Sequence, residues 1–303
     1  MSERALKPAI GMAHAAPETA PHGLSQTLAR WARLARRNPI GLLGLAVLLL
    51  VVGLAIFAGL VAPFDPAAQP AERLTPPNGT YVLGTDEFGR DVFSRVIWGT
   101  RISLYVGIIA VAIALLIGVT LGLVSGYYGG WADSIIMRFV DILFAFPTIV
   151  LAIAITGILG PSLTNATIAI GLVYAPVFAR VMRGPVLSVV HLEYVQAART
   201  MGASDGRIVW RHVFPNVTAP LIVQITLALS TAILAEAALS FLGLGTQPPT
   251  PSWGTMLGTG RKFLELSPWV AIFPGVAIML TVLAFNLLGD GLRDVLDPRL
   301  RGS

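Results

Sequence analysis

Cysteine is missing from this 303-residue chain, which excludes disulfides, thiolate metal centres and cysteine nucleophiles. Charge is scarce as well: Asp, Glu, Lys and Arg together make up 12% of the residues, against about 25% in a usual soluble domain. Lysine is almost absent. Lys7 follows Leu6 and Lys262 follows Arg261, so no Gly-x-x-x-x-Gly-Lys-Ser/Thr phosphate loop can be built, and ATP-driven work would need an engine on another chain. His14, His22, His191 and His212 have neither the close pairing nor the acidic company of a metal site, and no Ser/His/Asp or paired-carboxylate arrangement can be assembled. These absences predict a non-enzyme that binds no metal and no cofactor of its own.

Apolar residues are what the chain has in quantity, at 55% of the total with a mean hydropathy of +0.75. So apolar a chain cannot hide its hydrophobic surface in one water-soluble core, and lipid must cover much of it. The formal charge of +5 could suggest nucleic acid, but the basic residues sit mostly in loops beside apolar runs, which points to membrane topology instead.

Residues 1 to about 24 are rich in Ala, Pro, Gly and Ser and read as a disordered tail. From Ser25 to Asn38, Leu28, Trp31 and Leu34 recur at helical spacing among Arg30, Arg33, Arg36 and Arg37, which predicts an amphipathic helix lying on an anionic membrane surface and ended by Pro39. Six apolar spans follow, near 40–61, 102–124, 139–159, 166–181, 219–242 and 269–288. Each approaches the ~20 residues a helix needs to cross ~30 Å of hydrocarbon. The fourth is short, with Arg180 and Arg183 placed to snorkel. Pro147, Pro176 and Pro274 lie inside spans as tolerated kinks. The first apolar run is too long and too far from the start for a cleaved signal peptide, so it reads as a retained anchor. With the N-terminus inside, fifteen Lys and Arg fall on the inner side and six on the outer, placing both termini in the cytoplasm. The chain thus reads as an all-α membrane protein: a tail and interfacial helix over 1–38, then a six-helix transmembrane domain over 39–303.

Three polar segments exceed the length of simple connectors. The inner one, near 185–216, reads as helix, corner, helix. Glu193 to Met201 is free of Gly and Pro, Gly202 can close that helix in the left-handed conformation, and Ser204 can cap a second one that Pro215 ends. A helix of about ten residues is only ~15 Å long, the size of a lever lying against another protein. Ala197 and Ala198 give it a smooth face for close approach. A plain surface hairpin fits the same pattern. The first outer segment, near 62–101, ends in GTDEFGRDVFSRVIWGTRISL, where Thr85 can cap a helix and Asp86/Arg90 and Asp91/Arg95 are i,i+4 pairs. Taken alone, those charges read as a solvated helix face. The second outer segment, near 243–268, holds Pro248, Pro249, Pro251 and Trp253 and could be a stiff lid, a docking surface or a passive connector.

Within the spans, Glu236 is deep enough to need a partner or a wet cavity. It is a candidate for the translocation path, with a hydrogen bond to a neighbouring helix or companion subunit as the alternative. Asp141 is read as an i,i+3 pair with Arg138, and Asn286 as glue between helices.

The run Gln196-Ala197-Ala198, three residues, Gly202, then Phe214-Pro215 resembles the "EAA" loop of ABC-importer permeases, with Gln196 in place of the usual Glu and His212 in place of the usual Ile. The string from Gly84, together with AALSFLGLGTQPPTPSWGTML from Ala237 and LAFNLLGDGLRDVLDPRLR from Leu283, resembles the second permease subunit of the dipeptide, oligopeptide and nickel branch. The resemblance runs from about residue 80 to the C-terminus. It implies a type I importer fold and residence in the bacterial inner membrane. It also implies a homologous permease as partner, two ABC ATPases that bind ATP and Mg, and an extracytoplasmic solute-binding protein. The coupling residues would be Glu193, Gln196, Ala197, Ala198, Gly202 and Pro215, and the outer motif Asp86, Arg90, Asp91 and Arg95. Dipeptides, longer peptides, glutathione-like peptides, opines and chelated nickel all stay open as solutes. The competing class is an ion-gradient-driven transporter, which would need more titratable groups in the bilayer than Glu236 and often carries inverted repeats that are not evident here.

Overall fold

The computed structural model describes residues 38–296. Apart from Asn38, the interfacial helix expected over Ser25–Asn38 lies outside the described residues. Every named element is a helix, and the only strand-like pairing among the described residues is an isolated bridge between Thr85 and Asp91. Five helices are long and apolar enough to cross a hydrocarbon layer, and a sharply bent pair makes a sixth if counted as one broken span.

Helix α1 (Pro39–Ile56) begins with Pro at its first position, where the missing N–H costs nothing, and Asn38 caps it by accepting from Gly41 N at 3.1 Å. The expected first span is interrupted at Phe57, and its remainder is a single turn, α2 (Ala58–Val61). Helix α3 (Val92–Tyr128) starts ten residues before the expected span. Its 37 residues rise about 55 Å, well beyond the ~30 Å of hydrocarbon.

The expected third span is two helices, α4 (Gly130–Phe144) and α5 (Thr148–Leu159), meeting at 90°. Pro147 has no N–H to give and steers the residue before it away from helical geometry. Pro176, Pro185 and Pro274, by contrast, are carried inside continuous helices. Helix α6 (Leu163–Val190) runs nine residues beyond the expected fourth span. Arg180 and Arg183, expected to snorkel, are held in ion pairs: Arg183 donates to both oxygens of Asp133 at 2.5 and 2.6 Å, and Arg180 donates to Asp141 at 2.7 Å. After a loop that carries α7 (Glu193–Thr200) and α8 (Asp205–Ile208) come α9 (Thr218–Phe241), α10 (Trp253–Gly260) and α11 (Trp269–Leu296).

Packing follows small residues. Helices α3 and α6 make the most extensive pairing in the chain. Glycines 118, 122 and 126 recur every fourth position on α3 and so share one face. A Cβ at Gly122 would lie 2.6 Å from the Ala179 carbonyl oxygen and 2.7 Å from Met182 Cβ. Such stripes let helix backbones close together in lipid, where hydrophobic drive between helices is absent. Around this seam gather Phe178, Met182, Val186, Ile170 and Val106, all buried. Asn38 ties the start of α1 to the end of α11, donating to Asp294 at 3.1 Å and to the Gly291 carbonyl at 3.4 Å.

Candidate functional site

At the C-terminal end of α3 lies the loop between α6 and α9. Its first helix is α7 (Glu193–Thr200), and Gly202 closes it with a φ of 81°. The short α8 (Asp205–Ile208) follows, then a wider turn over Val209–Val213 and a tighter one over Phe214–Asn216 that contains Pro215. Ser204 occupies the expected cap position, but its side chain makes no capping hydrogen bond.

Two side chains seat α7 on the body: Val195 and Ala198 are buried, while Glu193, Tyr194, Ala197, Arg199 and Met201 are exposed. The smooth face expected from Ala197 with Ala198 is therefore absent, because adjacent helical positions point about 100° apart and only Ala197 faces outward. Gln196 donates through its amide nitrogen to the Val190 carbonyl at 2.8 Å, closing the junction with α6. An ionised Glu, the residue more usual in this motif, could only accept and could not make that bond.

A second tie was not foreseen. Tyr127, in the last turn of α3, donates its hydroxyl to Asp205 at 2.7 Å, and the Arg199 guanidinium lies over its ring at 5.5 Å. Tyr194 donates to the His212 carbonyl at 3.3 Å. The loop is thus fastened to α6 by chain continuity and to α3 by side chains. Tyr127 and Asp205 are 78 positions apart, so no local spacing could have announced them.

The opposite end of α3 is held by a buried ionic knot. Asp86, Arg90, Asp91 and Arg95 are all nearly inaccessible, which overturns the reading of a solvated helix face. Asp86 accepts from Arg90 Nε at 2.6 Å, forms an ion pair with Arg95 at 3.4 Å, and accepts from the backbone N–H groups of Phe88 and Arg90. Asp91 does not pair with Arg95. It caps α3, accepting from the Ser94 N–H and hydroxyl at 2.7 Å each. Arg95 reaches back to the Pro66 carbonyl at 2.8 Å. The expected cap Thr85 lies before the helix and joins two stretches of the segment, donating to the Glu72 carbonyl and accepting from Thr75 N.

Glu236 is 0% exposed. Its carboxylate accepts from Ser103 of α3 at 3.2 Å and from Ser240, one turn along its own helix, at 2.7 Å. Ser240 in turn accepts from Thr246 N at 3.1 Å, fixing the start of the Pro-rich segment. This geometry favours the inter-helix reading of Glu236 over an open path. We predict that Glu236→Gln keeps both contacts, since an amide can accept from one hydroxyl and donate to the other. Glu236→Leu leaves the buried Ser103 hydroxyl without its partner and the Ser240 hydroxyl with no acceptor, at roughly 1–3 kcal/mol for each unmade bond. The amount of folded subunit recovered in detergent after stepwise heating checks both variants, with Gln expected near the native chain and Leu well below it.

Asp141 does not pair with Arg138. Its partner is Arg180, 39 positions along the chain. Asn286 accepts from Ser230 of α9 at 2.9 Å, a helix-to-helix bond of the kind expected of it.

Comparison with known proteins decides the family. Residues 118–302 match the family described as binding-protein-dependent transport system inner membrane component, and residues 25–77 match the N-terminal transmembrane domain of oligopeptide transport permease C. The chain belongs to the binding-protein-dependent inner membrane components. A dipeptide transport system permease protein of Alkalihalophilus pseudofirmus is 50% identical over 267 residues, covering 88% of each chain. A glutathione transport system permease protein of Pectobacterium atrosepticum is 48% identical over 273 residues, covering 89% of this chain and 90% of the relative. The inward-facing MetNI methionine ABC transporter superposes with a TM-score of 0.53 at 20% identity, over 67% of this chain and 96% of that one, and so shares the fold. This inner membrane component is a multi-pass, non-catalytic permease subunit of an ABC importer. Relatives that are permease proteins of dipeptide and glutathione transport systems stand against the ion-gradient-driven alternative.

Proposed function

We propose that this chain forms half of the membrane pathway of an importer for peptides or a similar small solute. Six spans cross the membrane, with both termini in the cytoplasm. A homologous permease supplies the other half, two ATPases holding ATP and Mg bind at the cytoplasmic end, and a solute-binding protein docks outside. The relatives named for dipeptide and glutathione transport support the solute class. The loop carries the mechanism, because α7 is seated by two buried residues yet presents Glu193, Tyr194 and Ala197, with Met201 just beyond it, at the surface, Met201 being 82% exposed. An apolar side chain so displayed on a short, well-anchored helix suits a groove on a partner. Closure of the ATPases would push α7, and the push would enter α6 through the Gln196 junction and α3 through Tyr127.

Gly202 tests this reading. A Cβ there meets nothing within 4 Å, so crowding is not at issue, but the φ of 81° is strained for any branched residue. That strain costs about 1–2 kcal/mol and is relieved by re-angling α7. Gly202→Val is expected to assemble with the companion permease and the ATPases, as read by pull-down of the tagged chain, to hydrolyse ATP, and to lose most of its uptake. Gly202→Asn, which tolerates this conformation, should keep most of it. Full uptake by the valine variant would remove α7 as the lever, and a pull-down of the native chain lacking ATPases would remove the importer assembly itself.

A further inference from the structure

Four charged side chains from α4 and α6 form two ion pairs that differ in one respect. Asp133 is satisfied, taking two hydrogen bonds from Arg183 and one from Ser125. Asp141 and Arg180 share a single hydrogen bond at 2.7 Å, and their side chains are 62% and 55% exposed. The Arg180 guanidinium also lies over Phe144, 4.1 Å from the ring centre. A guanidinium has five N–H donors and a carboxylate about four acceptor sites, so most of the capacity of this pair goes unused within the described residues.

That unused capacity selects what faces the pair. Hydrocarbon cannot satisfy it, and exposed charges on membrane spans turn to water or to partners. A dry subunit interface would orphan several donors at once, each at a cost of about 1–3 kcal/mol. Water satisfies all of them. Asp141 also lies one turn before the 90° break at Ala145–Pro147, on a helix whose Phe139, Ile142 and Phe144 are exposed, as is Phe146 within the break. We infer that Asp141 and Arg180 line the aqueous pathway on this subunit and bind the charged ends of the passing solute. The Arg180 guanidinium takes a carboxylate and Asp141 takes an ammonium group. A neutral pair open on one side is the complement of a zwitterion, and a short peptide with free termini exchanges its own ion pairs for this one while its side chains lie against the phenylalanines. This inference rests on the importer reading and adds to it the chemistry that is recognised inside the membrane.

The chain has no cysteine of its own, so a single introduced thiol reports its surroundings alone. Ile142→Cys, beside an intact ion pair, is the reporter, and Leu49→Cys, on the exposed apolar face of α1, is the reference. Assembled transporter in inside-out vesicles is treated with a cationic, water-soluble methanethiosulfonate. The thiolate is the reacting form and needs water, so each unit of thiol pKa separating a wet site from a lipid-facing one is worth about ten-fold in rate. The reporter is expected to react about ten-fold faster than the reference. Its rate should fall when ATP and vanadate trap the complex. Excess dipeptide should protect it, whereas the same dipeptide acetylated and amidated should not. Adding Asp141→Asn or Arg180→Gln should abolish that protection. A reporter as slow as the reference, a rate indifferent to trapping, or equal protection by free and capped peptide overturns the inference. A native complex that takes up no peptide defeats the importer reading instead, so the two failures are distinct.

Discussion

Replacing Gly122 by leucine is expected to leave almost no mature subunit in the membrane. The first side-chain carbon would already lie 2.6 Å from the Ala179 carbonyl oxygen and 2.7 Å from Met182 Cβ. Neither atom is the free end of a flexible chain, so α3 and α6 would have to part along their length. Ordinary overpacking costs about 1–3 kcal/mol. Here it falls on the most extensive helix pairing in the molecule, flanked by Gly118 and Gly126, so the loss reaches at least the top of that range. Gly53→Leu is the matched control, because a Cβ at Gly53 meets nothing within 4 Å. Immunoblots of membranes should show the Gly122 variant lost and the Gly53 variant at native level. Equal amounts of both would mean that this seam does not govern folding.

Arg90→Met should destabilise the segment before α3 by about 3–5 kcal/mol, because Asp86 would stay buried with its closest cation gone. Arg95 remains, but at 3.4 Å and committed to the Pro66 carbonyl, it cannot replace the 2.6 Å contact. Limited proteolysis from the outer face should cut residues 62–91 readily in this variant and slowly in the native chain. The double variant Asp86→Asn/Arg90→Met should recover part of the protection, since position 86 then carries no charge and an asparagine oxygen can still accept from the N–H groups of positions 88 and 90, while Arg95 loses its anion and keeps the Pro66 carbonyl. A double variant as labile as the single one would show that the ion pair itself is not the cause.

These two expectations rest on different kinds of information. Positions of the spans could be read from apolar runs, because lipid demands long uninterrupted stretches. Their ends could not, because they depend on partners distant in the chain. Helix α6 continues past Arg180 and Arg183 because Asp141 and Asp133 receive them from α4, and no window of sequence contains both halves. Pro147 breaks its span while Pro176 does not, a difference of tertiary support that composition does not carry. The corner at Gly202 was legible because it is local: only glycine takes that φ without cost. The fate of Asp86, Arg90, Asp91 and Arg95 was half legible. Their i,i+4 spacing announced contact, but burial turned Asp91 into a cap and brought Arg95 to Asp86. Glu236 announced its need for a partner, yet Ser103 could be named only from coordinates, 133 positions away.

One helix, α3, has the Asp86 knot around its first turn and the Tyr127–Asp205 bond at its last, with no loop between them. A shift of an unbroken helix along its axis moves both of its ends together. Whatever free energy an event at the 62–91 end invests in shifting α3 is felt at the loop, and thermodynamic linkage requires the reverse transfer to be equal. In the proposed assembly, a solute-binding protein that favours closure of the ATPases would be held more tightly, by the same factor, when those ATPases close.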